Sequence, residues 1–247
     1  MKILQVTNRK GGVGKTTIAC HAAWYFAEKM RVLVVELDDQ RNASRTLRSR
    51  KIDIETTELL TEKLRIPVLA EPGITLIAAN DRLKSIEVKP KPHLEILRTN
   101  ILAAADDYDV CIIDCAPKAD ALNIGPMLFA SHVLAPIELS EYSLQGIESL
   151  LQSVVGAQQQ FNPDLVFLGM LPNKFVANST IQREALKGLF EKVGDRFMFD
   201  AVLTLRQAYS HAATTMKPAW SDPKTAAREA GKEIRNIMQK IEDRMFA

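Results

Sequence analysis

The stretch RKGGVGKTT, residues 9–17, decides the fold that this sequence predicts. It follows an apolar run at residues 3–7 and precedes a helical pattern that begins at Lys15. Its glycines allow backbone angles that other residues rarely adopt, so that successive N–H groups can point at one anion. The N-terminus of the following helix favours the same anion. Strand, glycine-rich turn and helix in this order predict a phosphate-binding loop, and a turn without a ligand is the alternative.

Short apolar runs alternate with longer helical patterns along the rest of the chain. The runs are residues 3–7, 32–37, 74–78, 110–114, 133–137 and 166–171. The helical patterns cover residues 15–29, 93–105, 140–160, 180–192 and 224–245. Because the runs are almost continuously apolar, each predicted strand is buried on both faces. The alternation predicts a doubly wound α/β fold, with a mainly parallel sheet and helices on both faces.

Two acidic residues follow predicted strands. Asp114 ends the run VCIID, and Asp38 comes after VLVVEL, so both emerge at the carboxyl edge of the sheet, where ligands bind. There Asp114 would support a Mg²⁺ ion that the Thr16 hydroxyl ligates, while Lys15 reaches the phosphates. Asp38 would position the attacking water or support the ion through a water molecule. An aspartate at a strand end is otherwise a helix cap or a turn residue.

Composition excludes several other classes of protein. The 247 residues suit a single domain, and a net charge of only +2 means that any nucleic-acid binding needs a local patch. Three cysteines, Cys20, Cys111 and Cys115, form no CxxC pair, which favours buried thiols in a reducing cytoplasm over a zinc site. No apolar run approaches the ~20 residues of a membrane span, and no leader pattern precedes the first strand.

Three motifs carry a resemblance to a known family. KGGVGKTT, ELDDQRNAS and IIDCAP resemble the deviant Walker-A P-loop ATPases of the ParA/MinD class, and the likeness covers nearly the whole chain. APIELSEYSLQGI, FLGMLPNKF and KPAWSDPKTAAREAGKEIR resemble the ParA-type (Soj- and IncC-like) partition ATPases in particular. The resemblance implies a P-loop NTPase fold, ATP and Mg²⁺ as ligands, and one ATPase domain over residues 1–247 without an N-terminal helix-turn-helix extension.

The resemblance also assigns roles to individual residues. Lys10 matches a signature lysine that contacts the nucleotide of the other subunit across a dimer, although a plain surface lysine is the alternative. The implied catalytic residues are Lys10, Lys15 and Asp38, and the implied metal-binding residues are Thr16, Asp38 and Asp114. The implied nucleotide contacts are Lys10, Gly11, Gly12, Val13, Gly14, Lys15, Thr16, Thr17 and, near the adenine, Asn173. For Asn173 the alternative is a loop asparagine without a functional role.

The implied function is partition of a plasmid or chromosome by a weak ATPase. Its ATP-bound homodimer binds non-specific nucleoid DNA in the cytoplasm and leaves it after hydrolysis, which a ParB-like centromere-binding protein stimulates. The candidate DNA contacts are Lys217, Lys224, Arg228, Lys232 and Arg235. A second basic candidate is the run at residues 41–51, and a solvated, salt-bridged helix is the alternative to the first set.

Departures from the family pattern and rival functions remain. Glu36, Asp39, Arg41 and Lys118 depart from the expected residues, which leaves the hydrolysis rate open. The rivals are a MinD-like membrane ATPase, an ATPase that positions a protein assembly, an iron–sulfur reductase and a P-loop scaffold without activity. The apolar stripe of the last predicted helix favours packing on the domain over stable membrane binding. Residues 38–72 are polar and helix-prone and suggest a surface elaboration.

Overall fold

The computed structural model describes residues 1–86, 90–117, 121–139, 143–222 and 224–247. Seven strands form one sheet in the order β3–β4–β2–β5–β1–β6–β7, and every neighbouring pair is parallel. The strands are β1 Lys2–Val6, β2 Arg31–Leu37, β3 Lys51–Glu55, β4 Gly73–Ala78, β5 Val110–Cys115, β6 His132–Glu138 and β7 Val166–Asn173. The doubly wound parallel sheet predicted from the alternating pattern is therefore confirmed.

Helices connect the strands and cover both faces of the sheet. The longer ones are α1 Lys15–Phe26, α5 Pro90–Ala103, α7 Ser143–Gln160, α8 Thr180–Val193, α9 Gln207–Thr215 and α10 Thr225–Met245. The shorter ones are α2 Asn42–Thr46, α3 Thr56–Thr61, α4 Leu83–Ile86 and α6 Ala121–Ile124. Single 3₁₀ turns lie at Arg48–Arg50, Gly125–Leu128, Asp195–Phe197 and Ala219–Ser221.

Each face of the sheet carries its own hydrophobic core. One core joins alternate strand residues such as Leu33 and Ile113 to α3, α5 and α7. The other joins residues such as Val34 and Ile112 to α1, α9 and α10. Strand residues alternate between the two cores because successive side chains point to opposite faces. Burial on both sides explains why the strands appear in the sequence as uninterrupted apolar runs.

The C-terminal helix α10 belongs to the second core. Its apolar stripe is buried throughout and consists of Ile234, Ile237, Met238, Ile241 and Met245. These residues follow the i, i+3, i+4 spacing of one helix face, which packs beside α1. The prediction that this helix packs on the domain is confirmed.

The expectation of a surface elaboration at residues 38–72 is wrong in part. The segment supplies the edge strand β3, which pairs with β4, and buried residues such as Leu47, Leu59 and Ile66. In β3 the partly buried Ile52 and Ile54 alternate with exposed polar residues. That period of two is the signal of an edge strand, and the surrounding charged residues obscured it. The sequence pattern also missed α9.

The cysteines behave as the sequence predicts. Cys20, Cys111 and Cys115 are all buried and form no disulfide bond, and the last two lie on β5. Among the described residues no group of three or more His, Cys, Asp or Glu side chains is arranged to hold a metal ion by itself. No helix in the described part of the chain is long and apolar enough to cross a membrane. Lys118, a departure from the family pattern, lies outside the described residues.

Candidate nucleotide-binding site

The glycine-rich loop connects β1 to α1 at the carboxyl edge of the sheet. Gly12 has φ 73° and Gly14 has φ 96°, both in the left-handed region that favours glycine. Gly14 is also the N-cap residue of α1 and has no side chain to cap the helix. The first N–H groups of a helix have no partner within the helix, so those of α1 are available to an anion.

Asn173, the last residue of β7, supports this loop through a side-chain hydrogen bond. Its Nδ2 donates a 2.7 Å hydrogen bond to the backbone oxygen of Val13, while its Oδ1 accepts one of 2.8 Å from the N–H of Lys174. A Cβ at Gly14 would collide with the Asn173 amide, so the glycine is needed for space as well as for its φ angle. The structure therefore places Asn173 against the loop backbone, and its role beside adenine stays a prediction.

Lys15 lies inside the loop that it follows. Its side chain is buried, and Nζ donates a 3.1 Å hydrogen bond to the backbone oxygen of Lys10. Burial lowers the pKa of Lys15, and the nearby carboxylates of Asp114 and Asp38 oppose this shift. A buried ammonium group inside a nest of backbone amides is suited to hold phosphate oxygens.

Asp114 is a buried carboxylate without hydrogen-bond donors of normal geometry. It is completely buried on β5, and neither of its two carboxylate oxygens has a hydrogen-bond partner within the described part of the chain. Burial raises the pKa of Asp114 to about 8, and the charges of Glu36 and Asp38 add to the rise, whereas Thr16 and Lys15 oppose it. Such a group is costly to bury as a bare anion. The Asp114 carboxylate is therefore suited to a cation, which would be the partner that it lacks.

Asp38 reaches the same edge from the neighbouring strand. It follows β2 directly and is buried, and its Oδ1 accepts a 3.0 Å hydrogen bond from the N–H of Gln40. β2 pairs with β5 so that Glu36 lies opposite Asp114. The parallel sheet thus brings Asp38, Asp114 and the glycine-rich loop together, as the sequence predicts.

One cavity of about 570 Å³ is lined by the glycine-rich loop, Lys15 and Asp38, whereas the fully buried Asp114 does not line it. Its first wall is the glycine-rich loop with the start of α1, its second is the segment at residues 38–46, and its third is α9. Lining residues from the loop and α1 are Gly12, Gly14, Lys15, Thr16, Thr17, Cys20, His21 and Trp24. Lining residues from the segment include Asp38, Gln40, Asn42, Arg45 and Thr46. The volume lies within the range of small-molecule sites.

A second, smaller cavity of about 280 Å³ lies beside Lys10. Lys10 is exposed, and its N–H donates a 2.9 Å hydrogen bond to Asn8 Oδ1. The preceding Arg9 bonds to the hydroxyls of Ser149 and Ser153, one turn apart on α7, at 2.8 Å in the case of Ser153. Lys10 therefore borders the smaller cavity and stands on a loop that α7 contacts through Arg9.

Comparison with known proteins defines the family. Residues 1–167 match the sequence family described as an AAA domain, which is more than half of the chain. Protein IncC of Escherichia coli is 33% identical over 252 residues, which cover 99% of this chain and 70% of IncC. The chain belongs to the ParA-type family of partition ATPases.

Other ParA-type proteins and their structures agree with this family. The sporulation initiation inhibitor protein Soj of Bacillus subtilis (strain 168) is 28% identical over 92% of this chain and 94% of Soj. The fold is similar to that of a Cyanothece McdA variant solved in complex with ATP, with a TM-score of 0.84. That similarity covers 98% of this chain and 96% of McdA at 19% identity, so it shows the fold alone.

The basic residues of this ParA-type chain are not equivalent to one another. Arg235 is tied to Glu28 by a 3.0 Å hydrogen bond from Nη1, and its guanidinium lies over the ring of Trp220. Lys232 pairs with Glu229 one turn earlier, at 3.4 Å. The remaining candidates, Lys217, Lys224 and Arg228, are exposed. The salt-bridged alternative thus describes part of the predicted DNA-binding set.

The second basic candidate, at residues 41–51, borders the larger cavity. Arg45 lines that cavity, Arg41 lies 3.7 Å from Asp81, and Lys51 lies 3.4 Å from Glu55. Arg41 adopts φ 55°, a left-handed angle that is uncommon for a residue other than glycine. The family pattern has glycine at this position, so the departure introduces backbone strain beside the site.

Sequence reasoning missed the aromatic end of the larger cavity. His21, Trp24 and Tyr209 line it, with the two aromatic rings packed edge-on against the His21 imidazole. Burial lowers the pKa of His21 to about 4, so the ring is neutral near pH 7. His21 and Trp24 are i and i+3 on α1, a spacing that the sequence does show. Tyr209 comes from α9, which only the tertiary fold places opposite them.

Proposed function

We propose that this chain hydrolyses ATP and, as an ATP-bound homodimer on DNA, partitions a plasmid or chromosome. The observation that carries the proposal is that Lys15, Asp38 and the fully buried Asp114 lie together beside one glycine-rich loop. Two buried carboxylates beside one buried lysine need additional positive charge, which Mg²⁺ would provide, while the loop amides and Lys15 would hold the phosphates of ATP. Membership of the ParA-type family of partition ATPases supports the partition role.

The chain's own residues supply positioning and charge. The backbone amides of residues 11–17 and the Lys15 ammonium group would hold the β- and γ-phosphates, and Lys15 would offset charge that develops during phosphoryl transfer. Asp38 would orient a water molecule in line with the γ-phosphorus. Thr16, Asp38 and Asp114 are the residues that would hold Mg²⁺, which when bound would neutralise phosphate charge. Asn173 would keep the loop in its binding conformation through Val13.

The dimer would depend on Lys10. An exposed lysine at the start of the loop is suited to contact the nucleotide of a second subunit. Such a contact is favourable only when the γ-phosphate is present, so ATP would bind the dimer better than the monomer. Hydrolysis would remove that charge and release the dimer. The departures at Glu36, Asp39 and Arg41 are consistent with weak activity in the absence of a ParB-like partner.

DNA binding would follow from the exposed basic residues near α10. Lys217, Lys224 and Arg228 can contact phosphates without reading bases, which is sufficient for non-specific binding. A cytoplasmic location on the nucleoid follows from that activity. A MinD-like membrane role is less well supported, because the apolar stripe of α10 is buried in the core. Co-sedimentation with DNA and with anionic liposomes, each with ATP, separates the two roles.

A second candidate function, which the family resemblance also allows, is the positioning of a protein assembly. An ATPase of this family would position a protein assembly with the same nucleotide site and the same DNA-bound dimer. Only the cargo-side partner would differ. Pull-down with the product of a neighbouring gene, either a small DNA-binding protein or an assembly component, distinguishes the two.

The central experiment uses two variants of the site. Lys15→Ala should abolish ATP binding, because it removes the cation within the loop. Asp38→Ala should retain ATP binding and slow hydrolysis by at least about tenfold, because the water is no longer oriented. Radiolabelled ATP measures both quantities. Tight ATP binding by Lys15→Ala, or unchanged turnover by Asp38→Ala, would refute the respective assignment.

A further inference from the structure

Glu36 is buried on β2, and its side-chain carboxylate accepts hydrogen bonds from three backbone N–H groups outside that strand. Its Oε1 accepts hydrogen bonds from the N–H groups of Ala43 at 2.8 Å and Ser44 at 3.2 Å, in the first turn of α2. Its Oε2 accepts the Ser44 hydroxyl and, at 3.2 Å, the N–H of Ala79 beyond β4. One carboxylate thus joins α2 to the neighbouring strand.

The segment that Glu36 holds is a wall of the larger cavity. Residues 38–46 contribute Asp38, Gln40 and Arg45 to the lining, whereas Glu36 itself does not line the cavity. After β2 the segment passes through Arg41, which adopts a left-handed φ of 55°. This angle is unfavourable for a residue with a Cβ. A strained segment needs an anchor to keep one conformation. Exposed pairs such as Arg41 with Asp81 contribute, and Glu36 provides a buried anchor with bonds to both α2 and Ala79.

We propose that Glu36 is a positioning residue that fixes the 38–46 segment, and with it Asp38, against the glycine-rich loop. The inference rests on the proposed ATPase function. The length of the side chain matters, because a shorter carboxylate would end about 1.5 Å nearer β2 and could not reach both α2 and Ala79. The backbone of Glu36 is also held, because the Thr56 hydroxyl donates a 2.8 Å hydrogen bond to the Glu36 carbonyl oxygen.

The role predicts a separation of turnover from nucleotide affinity. The phosphate-holding groups on residues 11–17 do not depend on Glu36, whereas the position of Asp38 does. Glu36→Asp should therefore lower kcat about tenfold and leave the Kd for ATP within about twofold. Glu36→Gln keeps the length and one acceptor oxygen, so it should restore part of the lost turnover. Ser44→Ala removes one of the hydrogen bonds and should have a smaller effect in the same direction.

The experiment combines kinetics with amide hydrogen exchange of the nucleotide-free chain. In Glu36→Asp, exchange at Ala43 and Ser44 should become about tenfold faster, which corresponds to the loss of one hydrogen bond. Glu58→Gln is the matched control, because Glu58 accepts a 2.8 Å hydrogen bond from the N–H of Glu55 at the start of α3, away from the cavity. It should leave kcat and exchange at residues 38–46 unchanged.

Several outcomes would overturn the proposal. Unchanged exchange at Ala43 and Ser44 in Glu36→Asp would show that Glu36 is not the anchor, and so would a parallel loss of ATP affinity and turnover. An equal effect in Glu58→Gln would assign the result to general destabilisation. If Glu36→Asp does not fold, Ser44→Ala decides by the same measurements. If the wild-type chain binds no ATP, the proposed function fails, while exchange still tests the anchoring by Glu36.

Discussion

Asn173 Nδ2 donates a 2.7 Å hydrogen bond to the backbone oxygen of Val13, which joins the end of β7 to the glycine-rich loop across 160 positions of sequence. Both partners are buried, so the bond is shielded from water. The bond supports the loop backbone, and the Asn173 amide fills the space that a side chain at Gly14 would need. A residue on the sheet thus determines the shape of a loop that is otherwise rich in flexible glycines.

Asn173→Ala is expected to weaken ATP binding. Loss of this hydrogen bond removes about 1 kcal/mol of support for the loop, which corresponds to roughly a fivefold rise in Kd. Isothermal titration calorimetry with a non-hydrolysable ATP analogue measures the change. Asn162→Ala is the matched control, because Asn162 Nδ2 bonds to the backbone oxygens of Met127 and Ala130 at 2.8 Å, away from the loop. Equal effects of the two variants would contradict a specific role for Asn173.

Lys10→Ala is expected to separate nucleotide binding from dimer formation. The variant should bind ATP within about twofold of wild type, because Lys15 and the loop amides remain in place. It should fail to dimerise with a non-hydrolysable ATP analogue, as measured by light scattering. Lys174→Ala serves as the control, since Lys174 lies at the same edge of the sheet but pairs with Glu138 at 3.7 Å. A Lys10→Ala dimer of normal affinity would rule out the trans contact.

Asp114→Asn is expected to stabilise the nucleotide-free protein increasingly as the pH rises from 5 to 8. Burial raises the pKa of Asp114 from 3.8 to about 8. The folding stability that the protonated carboxyl group contributes is therefore fully present below pH 3.8 and is lost as the pH rises through 8. The amide stays neutral and avoids this loss. Each kcal/mol gained corresponds to about 2–4 °C in Tm for a chain of this size.

Thermal unfolding of both forms, with and without Mg²⁺ and ATP, tests the effect of Asp114. The Tm gap in favour of Asp114→Asn should widen towards pH 8 in the nucleotide-free protein. Saturating Mg²⁺ and ATP should stabilise the wild type more than the variant, since ligand binding to the folded state adds to its stability. A Tm gap that does not depend on pH would contradict the assignment.

Arg228→Ala and Lys224→Ala are each expected to weaken non-specific DNA binding. Both residues are exposed, and each lost phosphate contact should reduce the slope of log Kd against log salt by about 0.9. Arg235→Ala should have a smaller effect on DNA binding, because its guanidinium is held by Glu28 and Trp220. Fluorescence anisotropy at several salt concentrations measures the slopes. Unchanged slopes for both Arg228→Ala and Lys224→Ala would move the DNA contact to the second candidate, residues 41–51.

Local sequence was sufficient for six of the seven strands and for the central part of the site. The strands are buried on both faces, so their apolar runs stand out, and the parallel order follows from alternation with helices. Asp38 and Asp114 were found because each ends a strand, and parallel strands end at the same edge. Edge strand β3 was not predicted, because its alternating isoleucines lie among charged residues. Helix α9 escaped because the pattern of residues 207–215 is weakly amphipathic.

By itself, the sequence determined the phosphate loop, the alternation of strands and helices and the acidic residues at the strand ends, because each depends on a few neighbouring positions. The tertiary structure alone decided that Asn173 supports Val13, that Arg9 bonds to α7 and that Glu36 caps α2. These bonds join residues that are far apart or whose side chains could have pointed elsewhere. Their geometry depends on how helices pack on the sheet, and no local pattern of residues records that packing.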